Sequence, residues 1–457
     1  MTSIQCALAF TIGTLFTSVS ASASNVGIVD SGTFFGHESI ASQSWTNPNE
    51  IVGNLVDDDN NGLVDDIVGW NFADNLPKVF NEEYMGQFDE KVYRAFAVIA
   101  SIQAKQLTEA NKTWFKTNVQ DLPKSEKDAF FAKLNFFGQY AHGTHCSGVV
   151  ALGNPQSKIM SARIFPDQLP PTAIDAATEG FGYELLATAT NKQFFQVASY
   201  LNSQKMDVAN FSIGVPMEVV ARKLMALTGK KNPTDAQVQK EAQNAATAFV
   251  KQGQKWISST PNTLFVIAAA NDGRSNALYP VFPAMVQAEN AITVAATNGW
   301  ASLAEFSNWD PATVHVAAPG VAIRSTVPGV GGKLFLRMSG TSMAAPFVTM
   351  LASTIKDINP LLNPADLKAI LIGTVDKKAW LAAKVASEGV VNTTRAERAA
   401  DLSKTMSIAD AVSQARSEIA DTPELPVVIE ENILESGANA NVLPSREMSA
   451  WAHKLAQ

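Results

Sequence analysis

Six short, mainly apolar runs, 26–29, 159–165, 208–213, 264–269, 291–295 and 314–317, recur along this chain with long stretches between them. A strand with one face in a core alternates apolar and polar residues, whereas a run that is apolar throughout must be buried on both faces. Two of the intervening stretches, 191–205 and 344–358, repeat apolar residues at three- and four-residue spacing, the period of a helix. Strands alternating with helices in this way predict an α/β fold: a mostly parallel central sheet with helices on both faces and helical insertions. In such sheets ligands sit beyond the carboxyl ends of the strands, so the chemistry is to be sought there.

A length of 457 residues allows two or three domains of about 150 residues each, or one large unit with insertions. The strand pattern favours the second, a domain over 24–417 interrupted by helical insertions at 81–137 and 216–256. The first carries an apolar stripe at Tyr84, Phe88, Val92, Phe96 and Ile99; the second is rich in Ala, Lys and Gln. Both are expected to pack on the domain surface, and 418–457 forms a tail that is acidic and apolar by turns. Charged residues make up only 17%, below the roughly 25% of an ordinary domain, so the chain can bury a large core. The formal charge of −8 speaks against a nucleic-acid partner.

The run 6–16 (CALAFTIGTLF) is too short to span a bilayer, and small residues follow it, with Ala21 and Ala23 in a cleavage-site pattern. Although 1–5 holds no Lys or Arg, 1–23 reads as a secretory signal peptide; the alternative is a buried N-terminal strand. No later run reaches about 18 apolar residues, so no membrane span is expected. Cleavage near Ala23 would remove Cys6 and leave Cys146 unpaired, and a monomeric, exported protein is expected.

Four segments carry residues suited to catalysis. In NVGIVDSG (25–32) a buried strand ends in Asp30, at the active edge of the sheet; the plainer reading is a capping residue. In YAHGTHCSGVV (140–150) lie His142 and His145, two of the chain's five histidines, and histidine is the commonest general base near neutral pH. Gly143 after His142 permits close backbone approach, and His145, three residues on, is expected to pack. In TLFVIAAANDG (263–273) a strand leads into Asn271, whose amide can donate to charge developing at that edge, or simply form a turn. In MSGTSMAAP (338–346) Ser342 opens an apolar helix whose positive end would support an oxyanion; a plain N-cap is the alternative. A serine nucleophile needs a base, the base needs an orienting acid, and the tetrahedral intermediate needs donors. The order Asp, His, Ser is one of three unrelated orders in which such triads occur.

With VDSG, HGTHCSG, NFSIG, AAAND and SGTSMAAP in this order, the chain resembles the subtilisin-like serine protease family over 25–66 and 140–392. The resemblance implies the three-layer fold of that family and a secreted endopeptidase acting on protein or peptide substrates, with no cofactor for catalysis. Ser342 would be the nucleophile, His142 the base, Asp30 its orienting carboxylate, and Asn271 with the Ser342 N–H the oxyanion hole. Ser212, Ile213 and Gly214 resemble the segment that pairs with substrate backbone and walls the specificity pocket. Family members usually carry Gly where this chain has Ala270 and Leu278; those side chains would shorten the pocket and favour small or medium apolar groups before the scissile bond. A catalytically silent binding protein of the same fold, or an esterase using the same triad, are the competing readings.

Relatives commonly carry a pro-domain after the leader, yet only Ser24 and Asn25 stand between Ala23 and the first strand run, so none is expected here. The insertion 81–137 or the tail would then restrain or assist the enzyme, unless they are surface packing alone. Cys146, four residues after His142, resembles the cysteine-bearing branch of the family and is expected to pack as an apolar side chain. In DDDNNGLVDD (57–66), Asp57, Asp59, Asn61, Leu63 (through its carbonyl) and Asp65 match positions one, three, five, seven and nine of a calcium loop, although the closing Glu is absent. A structural Ca²⁺ is expected there, as in bacterial relatives with a similar acidic insertion.

Overall fold

The computed structural model describes residues 23–166, 183–230 and 232–429, so 1–22 of the expected leader and 430–457 of the tail lie outside the described residues. In chain order the strands are β1 (Asn25–Asp30), β2 (Gly69–Asn71), β3 (Lys158–Arg163), β4 (Val208–Phe211), β5 (Val215–Pro216), β6 (Leu264–Ala268), β7 (Val281–Phe282), β8 (Ala291–Asn298), β9 (Ser302–Leu303), β10 (Val316–Pro319), β11 (Ile323–Thr326), β12 (Phe335–Met338), β13 (Asp376–Lys377) and β14 (Gly389–Val390). The α-helices are α1 (Glu90–Gln103), α2 (Glu109–Phe115), α3 (Lys124–Gly153), α4 (Tyr183–Ser203), α5 (Met217–Leu227), α6 (Asp235–Ser258), α7 (Thr341–Ile358), α8 (Pro364–Gly373), α9 (Thr393–Leu402) and α10 (Ile408–Glu418).

The central sheet runs β2-β3-β1-β4-β6-β8-β10-β14-β13, with β9 pairing beside β8. Its ladders are parallel except at β13–β14 and β8–β9, as strands buried on both faces predict. All six predicted runs lie in this sheet. From β1 the chain passes to β2 and β3 on one side and then to β4 on the other, so the strand order reverses at β1. A crevice opens at the carboxyl ends of strands where the order reverses, and Asp30 is the last residue of β1.

One face of the sheet is covered by α4, α5 and α6. Trp256 of α6 is fully buried, stacked on Phe194 and Phe211 at 5.6 and 5.4 Å, and its Nε1 donates to Asn191 Oδ1 at 2.9 Å. The 216–256 insertion is therefore part of the core. The other face is built on α7, whose Ala344, Phe347, Val348 and Leu351 pack with Val266, Val294 and Val316 of the sheet.

The 81–137 insertion departs from the expected layout. Its last helix, α3, has 30 residues and runs without interruption through 140–150, so the insertion and the histidine motif are one rod about 45 Å long. Asp89 caps α1 by accepting from Val92 N at 3.1 Å, which leaves Tyr84 outside the helix and buries Val92, Ala95 and Val98; Phe96 and Ile99 are only partly covered. Part of the tail is also tied down. Buried Arg395 donates to Ile419 O and Asp421, Trp300 N donates to Leu425 O at 2.8 Å, and the Gln106 amide clasps Val427 O and Ile429 N. Among the described residues no helix is long and apolar enough to cross a membrane.

Candidate active site

Asp30 is 1% exposed, and its Oδ1 lies 2.7 Å from His142 Nδ1 while accepting Ser31 N–H at 2.7 Å. α3 is brought against the turn after β1 by Gly143: a Cβ there would lie 2.3 Å from Gly32 O. Three further bonds lock the approach, Gly143 N to Ser31 Oγ, Phe34 N to Thr144 Oγ1, and Thr33 Oγ1 with Ser147 Oγ. The imidazole of His142 is part-exposed toward the crevice. Its burial alone would lower its pKa, but the Asp30 carboxylate outweighs that and holds it well above the ordinary value. His145 packs as expected: it is fully buried, its Nε2 lies 3.1 and 3.2 Å from the carbonyls of Ile323 and Leu336, and burial pushes its pKa down to about 3.

Ser342 is the second residue of α7, where backbone N–H groups have no partner inside the helix. Pro346, four residues on, has no N–H with which to bond the Ser342 carbonyl. That carbonyl is satisfied instead by Ser212 Oγ at 3.0 Å and the Cys146 thiol at 3.3 Å. Cys146 Sγ also lies 3.9 Å from His142 Nδ1, so this one buried side chain touches both residues. Burial raises its pKa, so the thiol stays neutral and Asp30 is the charge that His142 feels. The Ser342 hydroxyl itself donates to Ser212 O at 3.4 Å.

Asn271 follows β6. Its Oδ1 accepts from Thr341 N at 2.8 Å and Thr341 Oγ1 at 3.0 Å, and Ala270 N donates to the same hydroxyl at 3.1 Å. With its oxygen so occupied, the amide nitrogen is the end left to donate, beside the start of α7. Thr341 and Asn210 were not singled out by their place in the sequence. Buried Asn210 donates to Ser212 Oγ at 2.9 Å and accepts from Thr349 Oγ1 of α7 at 3.2 Å, binding β4 to the serine helix. The only signal either residue carried was position, directly before Ser342 and two residues before Ser212.

Ser212, Ile213 and Gly214 continue beyond Phe211, the last residue of β4 in the sheet ladders; Ser212 and Ile213 are buried and Gly214 is exposed. Ala270 stands opposite with φ +88°, a left-handed backbone that a Cβ strains. Leu278 does not stand at the floor of this crevice; it is 57% exposed, on a turn whose carbonyl is held by Gln239 and Gln243 of α6.

The acidic loop also rearranges the expected set. Asp57 accepts from Asn61 N and Gly62 N, and Asp65 from Gly53 N and Leu55 N, so both are spent on backbone turns; Asn61 donates to Asp66, and Leu63 N donates to Asn61. Asp59 is joined instead by Glu50 and Asp66, their oxygens within 4.8 Å of one another. Asp66 is fully buried and its pKa is pushed up to about 6 by that burial. Three oxygens so spaced can share one cation at about 2.3–2.6 Å from each, and all are hard donors of the kind calcium takes.

The description "Subtilase family" belongs to the family model that this chain matches over residues 22–393. Subtilisin BL of Lederbergia lenta is 26% identical over 257 residues, 56% of this chain and 77% of that protein. The M-protease of Shouchella clausii is 26% identical over 233 residues, 51% of this chain and 49% of that one. The extracellular basic protease of Dichelobacter nodosus is 33% identical over 156 residues, 32% of this chain and 25% of its own length. Among solved structures, a cold-adapted subtilisin-like serine proteinase aligns with a TM-score of 0.40 at 18% identity, covering 81% of this chain and 88% of that one. The A-subunit of the AB5 toxin from E. coli aligns at 0.44 and 17%, covering 86% and 94%.

Proposed function

The chain belongs to the subtilase family, a family of serine peptidases, and from that membership we propose that it is a secreted, monomeric endopeptidase working through Ser342, His142 and Asp30. The observation that carries the reading is the 2.7 Å contact between buried Asp30 and His142 Nδ1, with Cys146 lying against both that imidazole and the carbonyl of Ser342 at the start of a helix. Asp30 holds the proton on Nδ1, so the lone pair of Nε2 is the one that accepts. Nε2 takes the Ser342 hydroxyl proton as Oγ bonds to the scissile carbonyl carbon, and the carbonyl oxygen becomes an oxyanion. Asn271 Nδ2 and the Ser342 N–H donate to it. His142 then gives its proton to the leaving amine nitrogen as the C–N bond breaks, and the acyl-enzyme remains. Water repeats the sequence: His142 takes its proton, the hydroxide adds, and Ser342 leaves with the proton restored.

A calcium ion held by Glu50, Asp59 and Asp66 is proposed as a structural element only, neutralising carboxylates that otherwise repel. Casein digestion tests the enzymatic reading. Wild-type protein releases acid-soluble peptides and a folded Ser342→Ala variant releases none; undiminished digestion by that variant overturns the assignment.

A further inference from the structure

The helix that carries His142 extends well past it. Asn154, directly after α3, donates to Asp357 Oδ2 at 2.7 Å, and Asp357 Oδ1 accepts Ser24 N just ahead of β1. His142 meets Asp30 at the other end of that strand. α3 therefore runs antiparallel to β1, and residues 124–141, about 27 Å of helix, stand beyond the carboxyl edge of the sheet. The crevice opens on that side, so this stretch is a wall beside it.

With 3.6 residues per turn, Gly138, Asn135 and Phe131 fall within about 40° of the direction His142 takes from the helix axis, and Gln139 within about 60°. The opposite side of the helix is pinned. Phe137 and Tyr140 lie 4.7 and 5.8 Å from the Phe88 ring, Leu134 is buried, and Tyr140 OH donates to Asn81 O at 2.8 Å. The face shared with His142 is open by contrast: Phe131 is 39% exposed, Asn135 is exposed, and Gly138 and Gln139 are half-buried. It carries no charge from Phe131 to His142, and at its far end Lys124 and Asp128 pair with each other at 2.6 Å.

In the reaction proposed above, His142 hands its proton to the departing amine, so the residues after the scissile bond leave past this imidazole. We infer that the open face of α3 ahead of His142 is a second binding surface for polypeptide substrate. It takes the stretch after the scissile bond as an extended, uncharged chain, with an apolar side chain against Phe131 and the amides of Asn135 and Gln139 toward its backbone. Phe131 lies about 16 Å along the axis from His142, a distance that an extended chain covers in about five residues. The inference rests on the protease reading and deepens it by naming the substrate class: long, flexible protein segments rather than short peptides.

The test uses two fluorogenic peptides with the same residues before the cleaved bond. One ends soon after that bond; the other continues for about eight residues, with Leu about five and six positions on. Burying the exposed part of one aromatic side chain is worth about three- to tenfold in binding, so kcat/KM for the long peptide should exceed that for the short one by at least that factor. In the double variant Phe131→Ala with Asn135→Ala the gain should vanish while the short peptide is cleaved at the wild-type rate, which a damaged fold would not allow. Equal cleavage of both peptides by the wild type, or a gain that survives in the folded variant, overturns the surface and leaves the protease reading intact. A variant-sensitive gain from lengthening the peptide before the bond instead overturns the assignment to the departing side. Cleavage of neither peptide with Ser342 unlabelled by a fluorophosphonate overturns the protease reading, and the surface with it.

Discussion

Asp30→Asn removes a charge and almost nothing else. The carboxylate sits 2.7 Å from His142 Nδ1, is 1% exposed and lies behind the imidazole. When Ser342 gives up its proton the imidazole becomes a cation. With charge centres about 4 Å apart and an effective dielectric near 20, the attraction lost is about 4 kcal/mol. At about 1.4 kcal/mol per decade that is roughly a thousandfold in rate. A second loss concerns the tautomer: an Asn amide can donate to Nδ1, which places the imidazole proton on Nε2, the nitrogen that must accept. The same isosteric change in another triad slows turnover about 10⁴-fold. We therefore predict that turnover on a peptide anilide, measured as initial rates at saturation, slows by three to four orders of magnitude while KM stays within a few-fold. Circular dichroism should be unchanged because Asn keeps the shape of Asp, but Oδ1 faces both His142 Nδ1 and Ser31 N, so an amide turned to donate to the ring gives up the Ser31 bond and the melting temperature should fall slightly. A folded Asp30→Asn protein that loses less than about tenfold would refute the claim that this carboxylate drives His142.

The pH dependence has a fixed sign. Only neutral His142 accepts a proton, and Asp30 holds its pKa above the ordinary 6.5, so kcat/KM should rise with pH through an inflection above 6.5; one at or below 6.5 would contradict the arrangement. The same raised pKa contributes stability fully present below about 6.5 and lost as pH climbs through the folded-state value, so the melting temperature should drift down on the alkaline side. Asn271→Ala should slow turnover about 10²- to 10³-fold at nearly constant KM, a magnitude taken from the corresponding Asn of a subtilisin rather than worked from this geometry. Calcium at about a hundred times its dissociation constant should add about 2.7 kcal/mol of stability, removed by chelator; Asp59→Asn with Asp66→Asn should abolish the response, and an unaltered melting curve would exclude the ion.

The strand ends and the helix start were legible because each couples a periodicity to one chemically distinct residue. A run apolar throughout must end at a sheet edge, and Asp30 and Asn271 each follow such a run; Ser342 precedes a helical stripe. The partners that hold these groups were not legible, since the roles of Thr341 and Asn210 exist only through what the fold sets opposite them. Gly143 allows the close backbone approach expected of it, yet from inside α3, where the contact with Gly32 outweighs glycine's poor helix propensity. Leu278 and Val281 are both apolar residues near the same turn, and only the register of β5 with β7 decides which one faces inward. In the acidic loop, counting positions along a calcium-loop template could not reveal Glu50 and Asp66, which join Asp59 through the tertiary turn rather than the template spacing.

The central claim is that one hydroxyl, among all those in the chain, is a nucleophile. Incubation with a fluorophosphonate at about pH 8, where neutral imidazole can accept the serine proton, followed by digestion and mass spectrometry, should place a single adduct on Ser342 and abolish activity in step with its formation. His142→Ala should remain unlabelled on the same timescale. Labelling spread over other serines, or none at Ser342 in the folded protein, would contradict it.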